Sequence, residues 1–234
     1  MNSTQRIHDA ICEAVLDHRL PPGTKLKEEQ LAQLFGVSRT IVRQTLIRLS
    51  EENIVDLRVN RGAQVAQPSI DEARQIFEAR HVVEEAILRR LVSAIKRPHL
   101  RELRALRRQE KEAVAHGDAS AAIRLSGAFH LQLAAFSGNQ VFERMLNELV
   151  WRTSLLIALY EAPGKPACLT HDHSEIIAAM AAKDADKAVA LMHSHLADIE
   201  ARLDTREVPK PVSIDTIFGT ARKNGKAVLK KITR

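Results

Sequence analysis

A chain of 234 residues is long enough for two domains, a small one and a medium one. Six Phe, one Tyr and one Trp are too few aromatics for a single-strand nucleic-acid binder that stacks bases. Two distant cysteines, Cys12 and Cys168, argue against a disulfide framework or a zinc ribbon, and the lack of a long apolar run or signal-peptide pattern predicts a soluble cytoplasmic protein without membrane contact. The net charge of +6 invites a nucleic-acid reading, but residues 1–68 carry only +1, residues 69–205 carry −1, and the whole excess lies in 206–234, so local placement of arginines matters more than the total.

The first predicted elements lie between Leu26 and Gly62. Leu31, Ala32, Leu34 and Phe35 recur at helical spacing, and Gly36 stops that helix because glycine takes the left-handed conformation of a C-cap. Val37 packs in the turn and Ser38 is a good N-cap for a second helix. Ile41, Val42, Leu46 and Leu49 form its apolar stripe, while Arg39, Thr40, Arg43 and Gln44 fall at its start and mostly off the stripe. Residues at the start of a recognition helix reach base edges, and an arginine there can pair with guanine O6 and N7. Ile54, Val55, Leu57 and Val59 then read as a strand, Asn60-Arg61-Gly62 as a turn, and Ala63, Val65 and Ala66 as the return. Arg61 at the tip suits a minor groove or phosphate. A solvated helix with scattered arginines is the bland alternative. Cap, glycine turn, apolar stripe, polar helix start and glycine-tipped hairpin in one order favour a winged helix-turn-helix over residues 1–68.

The stretch PPGTKLKEEQLAQLFGVSRTIVRQTLIRL followed by NRGAQV resembles the winged helix of GntR-type bacterial transcription regulators. Where that family shows SRTPVREAL, this chain has Ser38-Arg39-Thr40-Ile41-Val42-Arg43-Gln44-Thr45-Leu46. Both arginines and the threonine are retained; Ile41 stands for the usual proline, and Gln44-Thr45 for Glu-Ala, a change that bears on operator preference. The resemblance puts Arg39, Thr40, Arg43, Arg61 and Gly62 at DNA-contacting positions.

After the linker Gln67-Pro68-Ser69, helical patterns break at Arg97-Pro98, His116-Gly117-Asp118, Gly138-Asn139, Pro163-Gly164-Lys165-Pro166 and Lys183-Asp184. These breaks predict six helices, 71–95, 98–116, 119–137, 140–161, 167–182 and 184–204. The expected architecture is therefore mainly α, a winged helix-turn-helix with a small β-hairpin ahead of an all-α bundle over 69–205. His173 and His195 lie 11 residues either side of Asp184. In an antiparallel hairpin both climb about 16 Å from the turn and stand level. His130, between Phe129 and Leu131, sits one turn after Ser126. Three imidazoles on one cavity form a facial metal site with open positions. Against this, helical histidines are mostly surface or satisfied core residues, and the chain has ten.

The bundle resembles the FCD ligand-sensing domain of the FadR subfamily. The pattern is carried by Arg80 and Glu84 on the first helix, Ser126 and His130 ahead of Gly138-Asn139, Asp172-His173-Ser174-Glu175-Ile176, and His195-Leu196. With the winged helix it spans residues 5 to about 204. It implies a divalent metal on His130, His173 and His195. The family's Asp or Asn is Ser126 here, a neutral and weaker ligand, so zinc or nickel suits the remaining imidazoles better than manganese. It also implies an effector role for Arg80, whose alternative is a salt bridge to Glu84 one turn later, with Arg152 as a weaker candidate.

In the tail, 206–234, Ile214, Ile217, Phe218 and Ala221 show helical spacing. A flexible basic extension touching phosphates is expected, with docking on a partner subunit as the competing reading. One winged helix reads few base pairs, so a homodimer on a near-palindromic duplex operator is expected. These features together predict a ligand-responsive transcriptional regulator, more often a repressor, answering to a small carboxylate. A metal-dependent hydrolase using the three histidines, with the winged helix as an accessory, is the rival class. A nucleoid-type binder indifferent to small molecules is a third.

Overall fold

The computed structural model describes residues 2–16, 19–58, 62–160, 173–203 and 213–218. The chain divides into two compact units, 1–67 with 208–234, and 68–207.

The first unit opens with a helix the sequence reading did not anticipate, α1 (Ser3–Leu16), which buries Ile7, Ile11, Ala14 and Val15 at helical spacing. Then follow β1 (Lys25–Leu26), α2 (Glu28–Phe35), α3 (Arg39–Glu51), β2 (Val55–Arg58) and β3 (Gly62–Val65). Gly36 ends α2 in the left-handed region, φ 65° and ψ 40°, and the Val37 N–H donates to the Ala32 carbonyl at 3.0 Å. Ser38 Oγ accepts the Ile41 N–H at 3.4 Å and starts α3. Val42, Leu46 and Leu49 form the buried stripe of α3; Ile41 is only half-buried, and Thr45 joins the core by donating its hydroxyl to the Ile41 carbonyl. The hairpin is part of a three-stranded antiparallel sheet, order β1-β3-β2, with Val55 opposite Val65 and Lys25 opposite Gln64. Gly62 enters β3 at φ 78°; Val59, Asn60 and Arg61 of the expected wing tip lie outside the described residues.

The second unit is a bundle of α4 (Ile70–Ala94), α5 (Arg97–Ala115), α6 (Ala119–Phe136), α7 (Gln140–Tyr160), α8 (His173–Ala181) and α9 (Ala185–Ala201). The helix limits match those expected to within a turn, except that α8 is described only from His173. Ser69, Asp118 and Asp184 cap α4, α6 and α9 by accepting the backbone N–H groups of Glu72, Ala121 and Lys187. Lys183 turns the chain between α8 and α9 at φ 62°, a costly conformation for a side chain with a Cβ. Its Nζ donates to the carbonyls of Val92 and Ile95 at 2.9 and 3.0 Å, satisfying the open end of α4. Helix α4 packs against α6, α7 and α9, and α5 against α6 and α8. Phe77, Ile87, Leu88 and Leu91 of α4, Phe129 and Leu133 of α6, and Met192 and Leu196 of α9 fill the centre. None of the described helices is long and apolar enough to cross a membrane.

The basic tail contributes a short helix, α10 (Ile214–Phe218), to the first unit. Ile214 is buried and the Phe218 ring stands 5.7 Å from that of Phe35 on α2. An apolar contact within the first unit therefore accompanies the charge in this segment.

A partly buried polar cluster ties α1 to α3. His8 Nε2 lies 2.6 Å from Glu52 Oε2, Arg48 Nε donates to Glu52 Oε1 at 3.1 Å, and Arg48 Nη1 donates to Gln5 Oε1 at 2.7 Å. The Cys12 thiol and then Glu52 hold the His8 imidazolium, whose pKa is raised to about 10. Burial pushes the Cys12 thiol up, so it stays neutral and Glu52 supplies the formal charge. Burial alone would raise Glu52, but His8 and Arg48 outweigh it and hold the carboxylate below its ordinary 4.5. The carboxylate's contribution is thus present above pH 4.5 and lost as pH falls through its folded value, while that of His8 is lost only as pH rises toward 10. Glu52→Gln is expected to cost about 1 kcal/mol at pH 7. In urea unfolding the gap from wild type should close below pH 4.5; a gap that stays constant with pH would show the pair to be electrostatically idle.

Candidate metal centre and nucleic-acid interface

Three helices of the bundle bring His130 (α6), His173 (α8) and His195 (α9) together, all fully buried. The Nε2 atom of His195 is 3.2 Å from that of His173 and 3.3 Å from that of His130. The level placement expected from the 11-residue spacing arises because α8 and α9 form the antiparallel hairpin about Asp184. Each of two imidazoles has a carboxylate behind it. His130 Nδ1 is 2.5 Å from Glu84 Oε2, and His173 Nδ1 is 3.0 Å from Glu110 Oε2. An Nδ1–H donated to a carboxylate leaves Nε2 as a lone pair, so both rings aim acceptors at His195. His195 Nε2 carries at most one proton and can satisfy only one of them. The donor set therefore suits a cation at the point where the three nitrogens meet.

Electrostatics keep His130 in the ligating form. Burial lowers His130 to about 4, with the Glu84 charge opposing the shift, so the imidazole is neutral. Burial would raise Glu84, but the Arg80 guanidinium and His130 overcome it and bring the carboxylate to about 2. Arg80 Nε donates to Glu84 Oε1 at 2.8 Å, and Nη2 lies 2.6 Å from the same oxygen. The salt bridge weighed against an effector role for Arg80 is thus present. Yet Nη2 is buried without a properly directed acceptor among the described residues, and Arg80 also lines a small cavity. That cavity, of about 20 Å³, is walled further by Ser126, Gly127, His130, Thr153 and Ser154. It has room for about one water. A Cβ on Gly127 would meet Val150 Cγ1 at 3.1 Å, so glycine is what lets α6 and α7 close on it. Arg152 stands elsewhere, paired with Glu72 at 2.5 Å and Glu148 at 3.5 Å, and does not line the cavity.

Glu110 was not singled out from the sequence. It lies in the run RRQEKE of α5, where an acid reads as one more surface charge. The available signal was its spacing: Glu110 follows the buried Leu103 by seven residues, two turns along the same face.

In the first unit Arg39, Thr40, Arg43 and Gln44 open α3 and are all exposed, as is Gly62 at the start of β3. Arg43 Nε donates to Glu28 Oε1 at 3.1 Å, and Arg39 Nη2 to Glu28 Oε2 at 3.5 Å. Glu28, at the first turn of α2, is a second residue the sequence reading passed over. Surface pairs of this kind are worth about 0–1 kcal/mol, enough to orient two long side chains and too little to withhold them from a polyanion.

Residues 3–65 match the bacterial regulatory proteins of the gntR family, and residues 75–198, more than half of the chain, match the FCD domain. The chain belongs to the GntR family of regulators and carries an FCD domain. Among GntR relatives, the HTH-type transcriptional repressor RspR of Escherichia coli K12 is 25% identical over 196 residues, covering 83% of this chain and 86% of RspR. The HTH-type transcriptional regulator LutR of Bacillus subtilis is 28% identical over 204 residues, covering 77% and 92%. Two solved structures share the fold: E. coli McbR/YncC, with a TM-score of 0.75 at 22% identity, and a GntR regulator from Rhodococcus sp. RHA1, with 0.74 at 24%. Each covers 86% of this chain, and 96% and 97% of the respective structure is matched. Membership makes this a ligand-responsive transcriptional regulator and not an enzyme; the hydrolase alternative gains no support.

Glu84→Leu would leave the Arg80 guanidinium buried and unpaired, at an expected cost of about 3–5 kcal/mol in chemical unfolding. Arg80→Leu with Glu84→Leu removes both charges and should recover most of that loss. A single variant as stable as wild type would mean that Glu84 does not hold the buried charge.

Proposed function

We propose that this GntR/FCD regulator represses transcription by binding a near-palindromic operator as a homodimer and releases it when a small carboxylate metabolite enters the bundle. The observation that carries the effector half is the convergence of three Nε2 atoms beside a buried arginine that lines the adjoining cavity. His130, His173 and His195 hold a divalent ion, zinc or nickel, with Glu84 and Glu110 orienting two of the rings. Ser126, which lines the same cavity one turn before His130, adds a hydroxyl without charge. When bound, the ion supplies a Lewis-acidic position for a carboxylate oxygen. Arg80 Nη2 takes the other oxygen, which is why a carboxylate suits the site better than a neutral metabolite. Arg152, held by two acids away from the cavity, has at most an indirect part.

The cavity is far smaller than a metabolite. Binding therefore requires the lining on α4, α6 and α7 to separate, and the effector selects a more open bundle. That difference in affinity between two bundle states is the free energy available to change the dimer's half-site spacing. Exposed Val82 on α4 and Val141 and Met145 on α7 offer apolar surface for a second subunit. On the DNA side, Arg39, Thr40, Arg43 and Gln44 enter the major groove, and Arg61 and Gly62 form the wing contact. Repression as the sign of regulation is supported by the description of RspR as a repressor.

Selection from a randomised duplex pool should return two half-sites related by a dyad. Arg43→Ala is expected to lose about 1–3 kcal/mol of preference for the selected site while retaining weak, salt-sensitive binding. Unaltered sequence preference would remove α3 from the interface. His173→Ala should lower metal content per protomer, by elemental analysis, and leave operator binding intact. Wild-type protein that retains no zinc or nickel after dialysis against either ion would reduce the effector site to Arg80.

A further inference from the structure

Outside the histidine cluster, α5 carries a second concentration of charge. Arg104, Arg107, Arg108 and Lys111 follow one another at i, i+3, i+4 and i+7, so four cations share one face of the helix. Like charges at these spacings repel, and a helix facing only solvent gains by alternating them with acids. Arg107 Nη1 reaches the buried Glu110 at 3.2 Å. Arg104 and Arg108 are exposed, and neither has an ion-pair partner among the described residues. The four side chains wall an open pocket of about 350 Å³, closed on its other side by Ser174, Ile177 and Ala178 of α8. Among the described residues no acidic side chain lines the pocket.

We propose that this pocket is a second effector site, for a small organic phosphate ester carrying at least two anionic groups. Guanidinium forks match phosphate oxygens two at a time, and a lysine adds a further charge. Ile177 and Ala178 give the carbon body of the ester an apolar floor. The volume falls in the range of small-molecule sites. Arg107 links the pocket to the histidine cluster, because Glu110 Oε2 is shared between it and His173 Nδ1 at 3.2 and 3.0 Å. A ligand that draws Arg107 outward changes what stands behind His173, so the two sites are coupled. The pocket itself stands without the metal reading: its residues are those of α5 and α8, and it binds whether or not the histidines hold an ion.

The test is calorimetric titration of the full chain with fructose 1,6-bisphosphate at physiological salt, with citrate as the polycarboxylate arm. Saturable binding of one bisphosphate per protomer is expected. Arg104→Ala with Arg108→Ala should weaken it at least about tenfold, since two charge-assisted contacts are lost. The charge-matched pair Arg74→Ala with Arg144→Ala, exposed on α4 and α7, should leave it within about twofold. Absence of saturable binding, equal loss in both double variants, or no loss in either overturns the site. Citrate binding in place of the bisphosphate overturns the ligand class. Loss of duplex affinity alone in the Arg104/Arg108 variant would make the face a DNA-backbone surface instead.

Discussion

The Glu84 carboxylate is the charge on which the bundle's interior turns. It is 1% exposed, and an ion removed from water to that extent persists only when paired and hydrogen-bonded. Arg80 neutralises it from one turn earlier on α4, and His130 donates to it from α6. The same carboxylate thus compensates a buried guanidinium, fixes which nitrogen of His130 carries the proton, and locks two helices in register. Glu110 does the corresponding work for His173 from α5. With both outer nitrogens committed to carboxylates, the inner nitrogens have no choice but to face one another.

That arrangement explains how a regulator with Ser126 in place of an Asp or Asn still offers a centre for a cation. Negative charge stands behind two of the rings instead of beside them, and His130 itself remains neutral because burial disfavours its imidazolium. The cavity next to them is tight, walled by Gly127 against Val150, and lined by the buried Arg80 guanidinium. A closed pocket beside a polar centre is what a population-shift mechanism needs, since a ligand can only favour a state that differs from the closed one. In the other unit charge is arranged in the opposite way. Arg39 and Arg43 are exposed and merely steadied by Glu28, so their charge is available to a polyanion at little cost.

Much of the fold was legible along the chain. Glycine stops, hydroxyl and carboxylate caps and apolar periodicity are local signals, and they located α2, α3 and the bundle helices to within a turn. The level placement of His173 and His195 was legible too, because helical rise and a single turn determine it. Helix α1 and strand β1 were missed. Strand β1 has only two residues, too few for alternation to register, and its pairing with β3 depends on residues nearly forty positions away. The tail read as charge; its contact between Phe218 and Phe35 joins opposite ends of the chain. Glu28, Glu52 and Glu110 were missed for a shared reason: an acid in a polar run looks like solvent-facing charge until its partner on another helix is known.

By itself, then, the order of residues determined the secondary structure, the membership in a DNA-binding family and the identity of the histidines that could meet, since each depends on spacing within a few turns. Only the tertiary structure decided which nitrogens face inward, that Arg80 is held by Glu84 while lining the cavity, and that Arg152 belongs to other acids. Those outcomes rest on distances between separate helices, which fall off too steeply with geometry for any linear pattern to encode.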